Sequence, residues 1–131
     1  GKMVIGCDQV LELGGKLISK SENQAQAHDL LKSMRGRQHT LYSAAVIYED
    51  ERPVWRHVGR ARLTMRDISD GFLEDYLARN WGSVSGCVGH YKLEEEGVRL
   101  FMRVDGDYFT VLGLPLLEIL SYLTLRGTVP S

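Results

Sequence analysis

Apolar residues along the chain fall in short runs whose spacing switches between strand and helix periods. Met3-Val4-Ile5-Gly6-Cys7 is an apolar run that ends on the polar pair Asp8-Gln9. Val10-Leu11-Glu12-Leu13 and Lys16-Leu17-Ile18-Ser19 flank Gly14-Gly15, which predicts a hairpin because both turn positions tolerate positive φ. Ser21-Glu22-Asn23-Gln24 has the capping-box pattern; behind it Ala27, Leu30, Leu31 and Met34 form one helical face, and Gly36 suits its end. Residues 39–48 are β-branched and aromatic, 49–53 read as a charged turn, and 54–65 return as a second long strand. Ser69 can cap a second helix with Phe72, Leu73, Tyr76 and Leu77 inward, and the Gly- and Ser-rich stretch 80–89 reads as a loop. Residues 91–93 and 98–104 predict a strand pair around Glu94-Glu95-Glu96-Gly97, followed by a turn at Asp105-Gly106-Asp107. Gly113-Leu114-Pro115 opens a third helix, buried through Leu116, Leu117, Leu120 and Leu123 and ended by Gly127 and Pro130. With no repeat and no linker, the order reads as α/β or α+β in a single domain over residues 1–131.

Composition narrows the partners more than the fold. The 131 residues are 44% hydrophobic and 25% charged, enough for one core without disulfides or metal staples. A net charge of −1 leaves no global field for a nucleic acid polymer or an anionic membrane, so any bound phosphate must be held by local groups. No apolar run approaches the roughly 20 residues of a membrane span, and no secretory signal opens the chain. A cytoplasmic protein is expected, with Cys7 and Cys87 as buried free thiols. The chain starts without Met directly on a strand pattern, which suggests a fragment.

Several polar residues are candidates for chemistry. Asp8, placed just after an apolar strand, sits where α/β sheets put ligand sites; it could bind a divalent cation or activate water, or simply bond its own turn. Lys20 precedes a helix cap, where a cation opposes the helix dipole unless a phosphate sits there; a solvated surface lysine is the alternative. Arg37 could clamp phosphate or favour the end of the preceding helix, and His39 could orient a partner or serve the core. One of Glu94, Glu95 and Glu96 could read a base edge, since a carboxylate accepts from ring or amino N–H groups; otherwise they form a solvated turn. The four histidines are scattered without zinc spacing, and neither a phosphate-loop lysine motif nor a serine nucleophile elbow is present.

Taken together, four segments resemble the Maf family of nucleotide pyrophosphatases, historically linked to septum formation. They are Ile5-Gly6-Cys7-Asp8-Gln9-Val10, Ile18-Ser19-Lys20-Ser21, Gly36-Arg37-Gln38-His39, and the run from Gly106-Asp107-Tyr108 to Leu114-Pro115-Leu116. They cover nearly the whole chain in family order. The resemblance implies an α/β fold of the Maf/ITPase-like kind: a mixed twisted sheet with long hairpins and three flanking helices, here truncated at the N-terminus. It implies a nucleoside triphosphate substrate cleaved to the monophosphate and pyrophosphate, with Asp8 as proton acceptor and Lys20 near the triphosphate. Arg37 stands in the family's Gly-Arg-x-His joint. Gln9 and Glu94 match the specificity positions of the subgroup that resembles enzymes acting on 7-methyl-GTP. Mg²⁺ or Mn²⁺ is the expected cofactor and a homodimer the expected assembly, with a non-catalytic nucleotide-binding regulator of division as the alternative. Ser19 and Ser21 replace the Gly and Pro usual around the lysine, Ser43 a usual Thr, and Thr110 a usual Asn. The family's Ser- and Arg-rich N-terminal phosphate loop is not in this sequence, so an incomplete site is expected.

Overall fold

A computed structural model of the chain describes residues 2–106, 111 and 116–127, with only the backbone described at 116 and 117. Strand β1 spans Met3–Leu13 and β2 Lys16–Ile18; helix α1 spans Gln24–Met34. The long hairpin is β3, Gln38–Glu49, with β4, Arg52–Met65. Helix α2 covers Asp70–Val84, a 3-10 turn Glu96–Leu100 leads into β5, Phe101–Asp105, and α3 covers Leu116–Leu125. The sheet order is β2-β1-β3-β4-β5, and every ladder among the described residues is antiparallel. The α/β expectation holds, whereas the mixed sheet does not appear in these ladders. Two-residue turns join β1 to β2 and β3 to β4, and such turns force antiparallel neighbours. Gly14 and Gly15 supply the first turn with φ of 59° and 84°.

Asp8 does not follow a strand: it lies inside one. The two runs predicted on either side of Asp8-Gln9 merge into β1, because Gln9, Leu11 and Leu13 continue one alternation, with Gln9 paired to Ser43 and Leu11 to Leu41. Asn23, not Ser21, caps α1. Its side chain accepts from the Gln26 N–H at 2.9 Å, two residues later than predicted, while the Gln26 side chain accepts from the N–H of Glu22, the residue before the cap, at 2.9 Å. Ser69 caps α2 as predicted, accepting from the Phe72 N–H at 3.1 Å. That helix runs on to Val84 through the expected loop, because Trp81 and Val84 extend the buried face of Leu73, Tyr76 and Leu77.

The sheet buries one face under two separate clusters. Leu11, Leu41, Ala61, Leu63 and Met65 pack beneath α1 and α2, where they meet Ala27, Leu31, Met34, Leu73 and Leu77. Farther along β3, Ala45 and Ile47 pack with Ile119 of α3, flanked by Trp55, Tyr122 and Leu123. Among the described side chains the inner face of α3 is Ile119, Tyr122 and Leu123, while Leu120, expected inside, is 42% exposed; the side chains of Leu116 and Leu117, also expected inside, lie outside the described residues. Arg126 at the end of α3 pairs with Glu49 and ties the helix to the β3 end. Between the clusters the core face turns polar, at the row Gln9–Ser43–Gly59. No helix among the described residues is long and apolar enough to cross a membrane.

The predicted strand pair around residues 94–97 is replaced by a turn. Residues 91–95 bend, and Phe101 onward pairs with β4 instead. Side-chain bonds to α2 decide this. Glu96 takes Arg79 and, at 2.9 Å, the Asn80 amide; Ser83 donates to Glu95 at 2.6 Å. These partners hold the Glu96 carboxyl down at about 2, chiefly through Arg79. Gly97 lies against the turn so closely that a Cβ there would stand 2.6 Å from the Lys92 carbonyl oxygen and 2.7 Å from its nitrogen. Gly97→Ala is therefore expected to destabilise the chain by about 1–3 kcal/mol as the backbone gives way. A lower urea midpoint would register the loss; an unchanged midpoint would mean that the turn opens without cost.

Candidate functional site

A cleft of about 530 Å³ opens at the polar row of the sheet. Its floor exists because β2 is short: β2 pairs only with Leu11, Glu12 and Leu13, so the β1 edge before Leu11 is unpaired among the described strands. Cys7, Asp8, Gln9 and Val10 line the cleft across that edge. Lys20, just past β2, forms one wall, and the segment from Gly86 to Glu94 forms the other. Asp8, Gln9, Lys20 and Glu94 thus reach one cavity from three separate parts of the chain. Arg37 is not among the lining residues. It donates to the Ser33 carbonyl at 3.2 Å, and its guanidinium lies against the Gly14 turn, at the α1 end of the molecule.

The cleft is built from local geometry that gives each side chain a defined part. Asp8 is exposed, and one carboxylate oxygen accepts the Gln9 backbone N–H at 2.9 Å. The Gln9 amide donates to the Ser43 hydroxyl at 3.3 Å and to the Val111 carbonyl at 2.9 Å. Ser43 is fully buried, so this pair pins Gln9 to the sheet. It also ties Val111 to the cleft; the closing motif's residues 107–110 and 112–115 lie outside the described residues. Of the three glutamates, Glu95 and Glu96 are bound by α2 and only Glu94 lines the cavity.

The wall that carries Glu94 is held from beneath. Tyr76 donates to the His90 carbonyl at 2.9 Å, and His90 Nδ1 lies 3.0 Å from the Val84 carbonyl. Tyr91 meets His39 Nε2 at 2.8 Å and packs edge-on against Phe101. His39 is therefore a core residue that supports the wall, not a group facing the cleft. Burial lowers its pKa to about 4, and burial also lowers that of His90.

Lys92 and Cys87, neither expected at the site from the sequence, line the cavity as well. Both stand on the same wall as Glu94. Cys7 is exposed and Cys87 half-buried, so both thiols are free as expected but neither is buried in the core. Only the neighbourhood of Tyr91 in the sequence could have pointed to Lys92. No group of three or more His, Cys, Asp or Glu side chains gathers among the described residues. Among the described residues the cavity offers a divalent ion the carboxylates of Asp8 and Glu94, a donor set that suits an ion completing its shell with water and phosphate oxygens.

The family described as Maf-like protein matches residues 1–125. The chain is similar to the nucleoside triphosphate pyrophosphatase of Roseobacter denitrificans, 63% identical over 99% of this chain and 65% of that protein. It is similar also to the protein of that name from Ruegeria pomeroyi, 59% identical over 100% of this chain and 66% of the relative. The 7-methyl-GTP pyrophosphatase of Rhizobium meliloti is 44% identical over 98% of this chain and 65% of its own length. The chain thus spans just under two thirds of the length of these curated relatives.

Proposed function

The chain belongs to the Maf-like protein family, and on that premise we propose that it carries the catalytic cleft of a nucleoside triphosphate pyrophosphatase. The observation that carries this reading is the convergence of Asp8, Gln9, Lys20 and Glu94 on one cavity. Water held by Asp8 attacks the α-phosphorus in line. Asp8 accepts the proton, the bond from the α-phosphorus to the bridging oxygen breaks, and pyrophosphate leaves with the bond's electrons. The Lys20 ammonium stabilises the charge that gathers on the departing phosphates. Mg²⁺ or Mn²⁺, held by Asp8 and the substrate, would add withdrawal of charge from the phosphate oxygens. Among the described lining residues Lys20 and Lys92 balance Asp8 and Glu94, so a triphosphate calls for further positive charge.

Base choice falls to Gln9 and Glu94. The Gln9 amide is anchored on Ser43 and Val111, which fixes this side chain in place along the cavity. The Glu94 carboxylate offers two acceptor oxygens to the cavity. Two acceptors suit the N1–H and N2–H₂ donors of guanine, and a carboxylate further favours the cationic ring of 7-methylguanine. In the full-length protein, pyrophosphate release across 7-methyl-GTP, GTP, UTP and dTTP should favour the methylated purine in kcat/KM by roughly tenfold or more over the pyrimidines. A pyrimidine preference would remove the base assignment. Nucleotide binding without pyrophosphate release from any of the four would favour a non-catalytic regulator instead.

A further inference from the structure

Lys92 has no role in the reaction as set out above, yet it lines the same cavity as Lys20 from the opposite wall. Neither ammonium forms an ion pair or side-chain hydrogen bond among the described residues. Five of the eleven arginines differ: Arg35, Arg79, Arg99, Arg103 and Arg126 stand against carboxylates. Lys92 is also held in place. Its carbonyl accepts the Glu95 N–H at 3.1 Å, Gly97 packs on its backbone, and Tyr91 beside it is anchored on His39. An unpaired, half-buried cation on a rigid turn is costly unless something anionic meets it.

The two lysines meet around one thiol. Burial pushes the Cys87 thiol up from its ordinary value; Lys92 pulls it down, Glu94 and Glu95 push it up, and Lys20 also pulls it down. The field of Lys20 reaches His90 as well, adding to the effect of burial there. Lys20 and Lys92, from two segments more than seventy residues apart in the chain, therefore face a common space beside Cys87.

We propose that Lys20 and Lys92 form a two-cation subsite for the pyrophosphate moiety, which grips the β and γ phosphates of the substrate and retains inorganic pyrophosphate as product. The assignment rests on the pyrophosphatase reading for its biological meaning, but the subsite itself is a property of the chain. Its chemistry is that of a linked pair of phosphates, each ammonium meeting one of the two. Such a subsite makes pyrophosphate an inhibitor competitive with the nucleotide.

Cys87 provides a readout independent of turnover. In a Cys7→Ser background of the 131-residue chain, alkylation of Cys87 by iodoacetamide would be followed by mass spectrometry against rising inorganic pyrophosphate. Protection is expected, with the half-protecting concentration raised about tenfold or more in Lys92→Met and in Lys20→Met, the loss of one charge-assisted contact. Lys92→Arg should restore most of the protection, which a merely structural lysine would not require. Circular dichroism melts would confirm that the variants are folded. Equal half-protection in Lys92→Met and the parent, or no protection of the parent at millimolar pyrophosphate, overturns the subsite. Lys92-dependent protection in a protein that hydrolyses no triphosphate would sink the pyrophosphatase reading alone. Hydrolysis with protection indifferent to Lys92 would sink the subsite alone.

Discussion

Asp8→Asn in the full-length protein is expected to lower kcat for pyrophosphate release by about 10²–10⁴-fold, the usual worth of a positioned general base. The fold should not notice. Asp8 is exposed, and the one bond it makes, from the Gln9 N–H at 2.9 Å, is one that the asparagine carbonyl can also accept. The melting temperature is thus expected to stay at the parent value. KM should change little, because the amide keeps the size of the side chain and removes a negative charge from beside a polyanion. A fall confined to kcat is the signature of a group acting in the transition state rather than in binding. Asp8→Glu moves the carboxylate by one methylene and should recover part of the rate. Turnover of Asp8→Asn within threefold of the parent would remove Asp8 from the chemistry and leave Glu94 as the other carboxylate of the cavity.

What could be read from the amino-acid order follows the range of the forces involved. Gly14-Gly15, the Ser69 cap and the apolar face of α1 are local signals, and the structure keeps them. Signals that depend on distant side chains were misread. Residues 91–93 and 98–104 read as a strand pair by composition, but Glu96 is claimed by Arg79 and Asn80 and Glu95 by Ser83, all on α2. The same bonds single out Glu94 for the cavity, a choice that three adjacent glutamates could not disclose. Asp8-Gln9 looked like the end of a strand because polar residues usually end apolar runs. Here they continue the pleat, since β2 stops early and the exposed edge tolerates a carboxylate. Arg37 matched a motif but turns toward α1, whereas Lys92, in no motif weighed for the site, lines the cleft. Motif and cavity agree on Asp8, Gln9, Lys20 and Glu94, and the geometry alone adds Lys92.

Acidification from pH 7 to pH 4 is expected to remove about 3 kcal/mol of stability through His39 alone, the size of a pKa drop from 6.5 to about 4. The ring is 1% exposed, packed between Tyr91 and Phe101, with Nε2 engaged by the Tyr91 hydroxyl and Nδ1 without a partner among the described residues. A proton on Nδ1 would create a buried charge with a donor that nothing accepts. The unfolded chain binds that proton near pH 6.5 and the fold resists it until about pH 4. Between those values the unfolded state holds more protons, so stability climbs with pH across the window and is lost on the way down. His90, also lowered by burial, acts in the same direction. The paired carboxylates act lower: Glu96, held near 2, Glu49 and Asp70 lose their contribution only as pH falls below the ordinary carboxylate range. Urea unfolding at half-unit steps should show most of the decline above pH 4.5. His39→Gln should flatten that upper limb while leaving the lower one. An identical slope in His39→Gln would mean that the ring titrates normally in the fold, and that the Tyr91 wall of the cleft does not rest on a neutral histidine.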